Sequence, residues 1–467
     1  MKKIWINLLL ILALTLSACK KILNIDLTTA SNPTPVTVED FEQVLNTPGI
    51  CETPFYLIDD VTDDTRRDID FIGSKFGFYD WAVEPWRLTE DEMFNNSYKW
   101  IAQMNLVISN MPTALPAGQM NDRRVVAIAQ AKINRAYFYL QLVNIYGPVY
   151  QAASADTDLA VPLILVVNNQ VSYPRASVGK VYEQILTDLK DALATIELPD
   201  IDKKNILYPG RAAALALLAR TYLYMGNYTQ AEKAASDAMA IKSNLLSYLN
   251  YGAPGSLLPD GRLITLVDQK KNDEVLLPRL YSVVATAPNP TSPSILYPSQ
   301  ELMTLFNQTN DKRYTASFKT NGPYAFGVVN TNYFYNYSIG VPEMMLIKAE
   351  CLARANDAAG AVNLLNTLRI KRIRNYTNLS TSVTAEQALS LVLEERRREL
   401  MFKGLRLFDL KRLNLDPRFS KDIERKKKNG QHWVTLPAGS PNYLFPFSPA
   451  TLNANPLLVQ NPRVDLQ

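Results

Sequence analysis

Between residues 211 and 241, small and aromatic side chains recur at the offsets of a tetratricopeptide helix pair: Leu218, Ala219, Tyr222, Gly226, Tyr228, Ala231, Ala235 and Ala238. The residue types follow from the packing. Ala219 and Ala231 let two antiparallel helices approach closely, Tyr222 and Tyr228 fill the space beside that contact, and Gly226 permits the tight turn between them. A weaker copy at 342–369 places Ala349, Leu352, Asn356, Ala358, Ala361, Leu365 and Leu368 at the same offsets. Helical segments at 178–197 and 384–403 extend the series. Stacked pairs bury a continuous core that no single pair buries alone, so the expected fold is mainly α, a tetratricopeptide-like helical-pair scaffold.

Around this scaffold the pattern changes. Helical periodicity begins near Val38, is strong at 95–110 and 122–145, and stops at Tyr146-Gly147-Pro148, a glycine followed by a proline that cannot continue a helix. Residues 248–340 are dominated by Pro, Asn, Ser, Thr and Tyr, with a short strand expected at Tyr333–Tyr337, and 413–467 is again loop-like. Irregular stretches of this length are uncommon unless they carry function or are disordered, and their aromatic content argues for order. The composition, 47% hydrophobic and 20% charged, supplies enough apolar material for a large core. One domain is expected over 38–467.

The N-terminus reads as an address. Lys2 and Lys3 precede an apolar stretch from Ile4 to Leu16, too short to span a bilayer, which ends in Leu16-Ser17-Ala18-Cys19. Small residues before a cysteine resemble a bacterial lipobox. On this reading residues 1–18 are a signal peptide, Cys19 is the acylated first residue, and 19–37 is an extended tether to a membrane-anchored body. Cys51 and Cys351 remain. Cys351 lies in an apolar helical pattern that suits a small buried hydrophobe, and a Cys51–Cys351 disulfide stays open.

Few classes of chemistry are supported. A net charge of +4 is small for a nucleic-acid protein. The basic run Arg425-Lys426-Lys427-Lys428 before Asn429-Gly430 reads as a solvated turn tip. His432 is the single histidine, so a serine triad or zinc cluster has no material. Asp59, Asp60, Asp63, Asp64, Asp68 and Asp70 form an acidic run that could hold calcium but lacks the glycine-centred EF-hand loop; a solvated loop is the plainer reading. Glu394-Glu395-Arg396-Arg397-Arg398-Glu399 sits at helical spacing, where ion pairing is expected. No catalytic residue is assigned, and the chain is expected not to be an enzyme.

Four separated stretches resemble the SusD/RagB family of outer-membrane lipoproteins. They are Cys19-Lys20-Lys21-Ile22-Leu23-Asn24-Ile25-Asp26; Arg135–Leu140 running to Ile145-Tyr146-Gly147-Pro148-Val149; Tyr297-Pro298-Ser299-Gln300-Glu301-Leu302 continuing through Phe306, Asp311 and Arg313 to Glu343; and Glu395-Arg396 through Glu399, Gly404, Arg406, Phe408-Asp409-Leu410 to Arg412. The resemblance implies a SusD-like α-helical fold and a surface-exposed, lipid-anchored protein of the outer membrane. It also implies a TonB-dependent, SusC-like transporter as partner, and a glycan or, in some members, an oligopeptide as ligand.

Ligand contacts in such a family come from an N-terminal loop region and from the excursion before the last repeat. In the first, Tyr79, Trp81 and Trp86 cluster with Asp80, Glu84 and Arg87; in the second lie Tyr281, Tyr297 and Tyr324. Aromatic faces stack on the apolar faces of sugars while charged groups take the hydroxyls. Trp81, Trp86, Tyr79 and Tyr297 are therefore the candidate ligand-binding residues, with packing of the rings onto the helices as the alternative. A surface hydrolase and a pure helical scaffold are the competing functions. Replacement of Cys19 by Ala is expected to release the protein from the membrane fraction; a variant that stays bound and takes up labelled fatty acid would reject the lipobox.

Overall fold

The computed structural model describes residues 35–55, 57–67, 77–86, 90–116, 122–166, 171–202, 205, 207–250, 272–284, 297–317 and 332–466. The expected signal peptide, Cys19 and most of the expected tether lie outside these residues, as do Asp68, Asp70, Arg87 and Tyr324. The fold is carried by helices α1 (Val38–Leu45), α2 (Glu92–Asn110), α3 (Asp122–Tyr146), α4 (Val178–Ala194), α5 (Arg211–Tyr224), α6 (Tyr228–Ile241), α7 (Val341–Arg354), α8 (Ala358–Arg369), α9 (Ala385–Glu399) and α10 (Arg406–Leu413). From α2 to α9 each helix packs on the next in sequence, so the chain builds an array of helix pairs.

Both expected pairs are present, as α5–α6 and α7–α8. Ala219, Ala231, Ala349 and Ala361 are fully buried at the close contacts. Gly226 turns the first pair at φ +71°, a left-handed conformation. Asn356 occupies the same place in the second at φ 67°, which Asn tolerates better than other side chains. The α5 helix is apolar nearly all round, and its residues from Ala212 to Tyr224 are buried apart from Leu215, as suits a helix enclosed by neighbours. Side-chain caps fix several helix starts: Thr37 with Asp40 and Thr384 with Gln387 form reciprocal boxes, and Asp91 and Ser177 cap α2 and α4. Cys51 and Cys351 are both buried and unpaired.

The strands are short, antiparallel and two to a sheet: β1 (Thr65–Arg66) with β6 (Tyr297–Pro298), β2 (Leu159–Pro162) with β3 (Arg175–Ser177), β4 (Val275–Leu277) with β8 (Ile339–Gly340), β5 (Leu280–Val284) with β7 (Asn332–Asn336), and β9 (Ile423–Lys426) with β10 (His432–Leu436). They tie the irregular excursions to one another and to the array. A small second core of Leu302, Met303, Phe306, Tyr314 and Phe402 sits beneath the excursion. No helix among the described residues is long and apolar enough to cross a membrane.

The charged end of α9 does more than pair along its own helix. Glu395 does accept from Arg398, at 2.8 Å, but it also accepts from Arg313 and Arg369, each at 2.7 Å. Glu399 accepts from Arg313 and Arg372 at 2.7 and 2.8 Å. Arg396 donates to Asp409 on α10, and Arg397 reaches Asp64 and Glu301. Burial pushes the Glu395 carboxyl up, but Arg313, Arg398 and Arg369 outweigh it and hold it far below the usual carboxylate value. A group depressed in this way contributes stability at pH values above its unfolded value and loses it as the pH falls towards its folded one. Glu395→Gln leaves three guanidinium groups short of a partner, so a loss of about 3–5 kcal/mol is expected in urea unfolding at neutral pH. The gap from wild type should narrow below about pH 4, where the unfolded chain takes up the proton first; a gap independent of pH would reject the ion-pair account.

Candidate ligand-binding loops

The site begins with the acidic run. Asp59, Asp60, Asp63 and Asp64 are buried, contrary to the solvated loop expected from sequence. Asp59 and Asp60 close the short helix Leu57–Asp60, and the turn that follows points the next carboxylates at cations from distant segments. Asp63 accepts from Arg406 through both oxygens, at 2.7 and 2.8 Å, and from Lys421 at 2.7 Å. One terminal nitrogen of Arg67 donates to both Asp60 oxygens, at 2.7 and 2.8 Å. Burial pushes the Asp63 carboxyl up, yet Arg406, Arg397 and Lys421 hold it well below its ordinary value. Asp59 goes the other way: burial, then the charges of Asp64 and Asp60, raise it well above the carboxylate range. Among the described residues no set of three or more acidic, His or Cys side chains is placed to hold a metal ion.

Strand β1 continues directly from this run. It pairs with β6 in the register Thr65↔Pro298 and Arg66↔Tyr297, and the Ser299 amide donates to the Asp64 carbonyl at 2.7 Å. The ladder brings the N-terminal loop and the later excursion side by side. Those are the two regions in which the SusD/RagB resemblance implies ligand contacts. Tyr297 is joined to the first loop through its backbone opposite Arg66. Tyr281 pairs with Tyr335 between β5 and β7.

Tyr79 and Trp81 depart from expectation. Trp81 is 1% and Tyr79 2% exposed. The Trp81 indole donates to the Val61 carbonyl at 3.1 Å, and the Trp81 carbonyl accepts from Asn442 at 2.8 Å. The Tyr79 hydroxyl accepts from the Arg67 amide at 3.0 Å, and its ring lies 6.0 Å from that of Trp433. Rings enclosed in this way have no open face for a sugar; they pack the loop onto the body. Trp81 also holds φ 54°, a left-handed conformation that is strained for a bulky side chain. Gly77 lets the loop close on itself, because a Cβ there would stand 2.6 Å from the Pro85 Cα. Trp86 is different. It is half-buried, its indole donates to the Pro446 carbonyl at 2.8 Å, and Phe78 meets it edge-on at 4.7 Å.

Sequence reasoning missed Arg425. Far from being a solvated turn tip, it is 3% exposed and lies beneath the loop, whereas Lys426 and Lys428 are exposed. A signal was present: the Asn429-Gly430 turn implies strand alternation before it, and with Ile423 inward, Arg425 falls on the same face.

Comparison with known proteins agrees with this architecture. Residues 56–223 match a family model described as starch-binding associating with outer membrane, and residues 306–463 match the model of the SusD family. The chain belongs to the SusD family. It is similar to SusD-like protein P2 of Formosa agariphila, 25% identical over an alignment of 377 residues that covers 68% of this chain and 70% of that one. A SusD superfamily protein of Bacteroides thetaiotaomicron shares the fold with a TM-score of 0.68 at 22% identity, covering 92% of this chain and all of that one. A SusD-like carbohydrate binding protein of Bacteroides vulgatus does so with a TM-score of 0.64 at 18% identity, covering 91% and 97%.

For this SusD-family chain, Trp81→Ala is expected to act on stability. Deleting an enclosed indole should cost about 3–5 kcal/mol, read as a lowered midpoint in chemical denaturation. A variant as stable as wild type would show that the ring is not part of the packed body.

Proposed function

We propose that this protein is a cell-surface lipoprotein of the outer membrane that captures a nutrient glycan and hands it to a TonB-dependent, SusC-like transporter, without catalysing a reaction. The observation that carries this reading is the match of residues 56–223 to a family model described as starch-binding and outer-membrane-associated. That window contains the described residues 57–67 and 77–86. The β1–β6 ladder supports it by joining this loop to the excursion, so one face can draw on both segments. The carbohydrate binding described for the Bacteroides vulgatus relative points to the same ligand class. Lipidation at Cys19 supplies the anchor, and the transporter supplies the route inward.

Within that face Trp86 and Tyr297 are the proposed contacts. The Trp86 N–H is held by Pro446, which fixes the ring while leaving part of it exposed. Stacking on a sugar needs only a face, and one lost ring costs about 1–3 kcal/mol by analogy with stacking on bases. Calorimetry of the purified protein with maltoheptaose, other oligosaccharides and oligopeptides tests the reading. Binding of an oligosaccharide without release of new reducing ends is expected, and Trp86→Ala should weaken it about tenfold to a hundredfold. Binding of peptides alone would move the ligand class to oligopeptides, and turnover would make the protein a hydrolase. Affinity capture from solubilised membranes should recover a large β-barrel partner; recovery of the bait alone, where a known pair survives, would reject the partnership.

A further inference from the structure

Arg425 stands on β9, in the hairpin that follows α10, yet its side-chain hydrogen bonds all run to the N-terminal loop. Its Nε donates to the Tyr79 carbonyl at 3.1 Å, one terminal nitrogen to the Thr65 carbonyl at 2.9 Å and the other to the Asp60 carbonyl at 2.9 Å. Its Cζ lies 4.1 Å from the centre of the Tyr79 ring and 4.6 Å from that of Trp81. The three acceptors are backbone carbonyls, so the contacts read where the main chain runs and not which side chains it carries. Asp60 and Thr65 lie on one side of the loop and Tyr79 on the other, so one planar guanidinium spans both. The Arg67 amide, donating to the Tyr79 hydroxyl, closes the same base. A lysine ammonium is a point donor and cannot reach three separated carbonyls while stacking on two rings.

We propose that Arg425 is a positioning residue, which sets the backbone shape of residues 57–67 and 77–82 at the ligand face. That these residues lie at a ligand face rests on the function proposed above; that Arg425 fixes their shape does not.

The test is hydrogen exchange on full-length mature protein, comparing wild type with Arg425→Lys and Arg425→Ala. Both variants are expected to keep wild-type exchange in α5–α8, while peptides covering 57–67 and 77–82 exchange about tenfold faster or more. Millimolar methylguanidinium should restore protection to Arg425→Ala, and the same concentration of sodium chloride or methylammonium should not. Wild-type exchange in the loop of both variants would overturn the proposal. So would rescue by any salt, or loss of the whole fold in both variants, which would make Arg425 a general stability residue. Calorimetry with maltoheptaose is read separately. Faster loop exchange with an affinity below that of wild type places the loop at the ligand; absence of maltoheptaose binding by wild type counts against the starch reading and leaves the exchange result to decide the role of Arg425.

Discussion

The last turn of α9 holds this molecule together. Five successive side chains, Glu395 to Glu399, leave the helix in different directions and together tie down the end of α8, the excursion, α10 and the N-terminal loop. Glu395 reaches Arg369 on α8 and Arg313 in the excursion, and Arg396 reaches Asp409 on α10. Arg397 reaches Asp64 in the N-terminal loop, Arg398 the Leu305 carbonyl, and Glu399 Arg372. The helical array stacks mainly through alanine and leucine stripes, with a few buried ion pairs such as Arg220 with Glu343 between α5 and α7. The irregular segments cannot stack in this way, since they lack a periodic apolar face. Directional, charge-assisted bonds from one rigid helix end give each of them a fixed seat.

This choice has an energetic consequence. Buried ion pairs lose much of their Coulomb gain to desolvation, and replacing a whole pair with apolar groups is often neutral. What they supply is a penalty for being broken singly. Arg313, bonded at once to Asp311, Glu395 and Glu399, cannot shift without stranding a carboxylate in a dry site. The same holds for Arg372, which joins Glu399, Glu274 and the Leu246 carbonyl while covering the Tyr248 ring at 3.9 Å. The excursion therefore has one arrangement at its base.

The scaffold was legible in the sequence because its determinants are local. A small residue at a fixed offset reports a helix crossing wherever the partner helix is the next in the chain, as for Ala219 with Ala231. The loops were legible only as departures from that periodicity. Asp63 and Arg406 are separated by more than three hundred positions, and nothing near either marks the other, so an acidic run that is buried and paired reads like one that is solvated. Arg425 was concealed by its neighbours: three lysine-rich positions after it made a solvated tip the natural reading, although strand alternation already set it inward. Trp81 and Tyr79 were misjudged for a related reason. Aromatic rings in a loop serve equally to bind a ligand or to replace the apolar stripe that a loop lacks, and composition does not separate the two.

The indole N–H helps to separate them. An enclosed tryptophan must satisfy its single donor inside the protein, and Trp81 does so on the Val61 carbonyl, within its own loop, with both its ring and its backbone enclosed. Trp86 satisfies its donor on Pro446, in the C-terminal segment, and stays only partly buried. The first arrangement closes the loop upon itself; the second stretches across to another segment and presents a ring held at one edge. Stacking against a sugar gains most from a face whose orientation is already paid for before the ligand arrives. Because Arg425 and Asn442 lock the loop from below while Pro446 holds the edge of Trp86, orientation and exposure are supplied by different contacts. On the function proposed above, exposed side chains of this face can vary without disturbing the bonds that hold the loop in place.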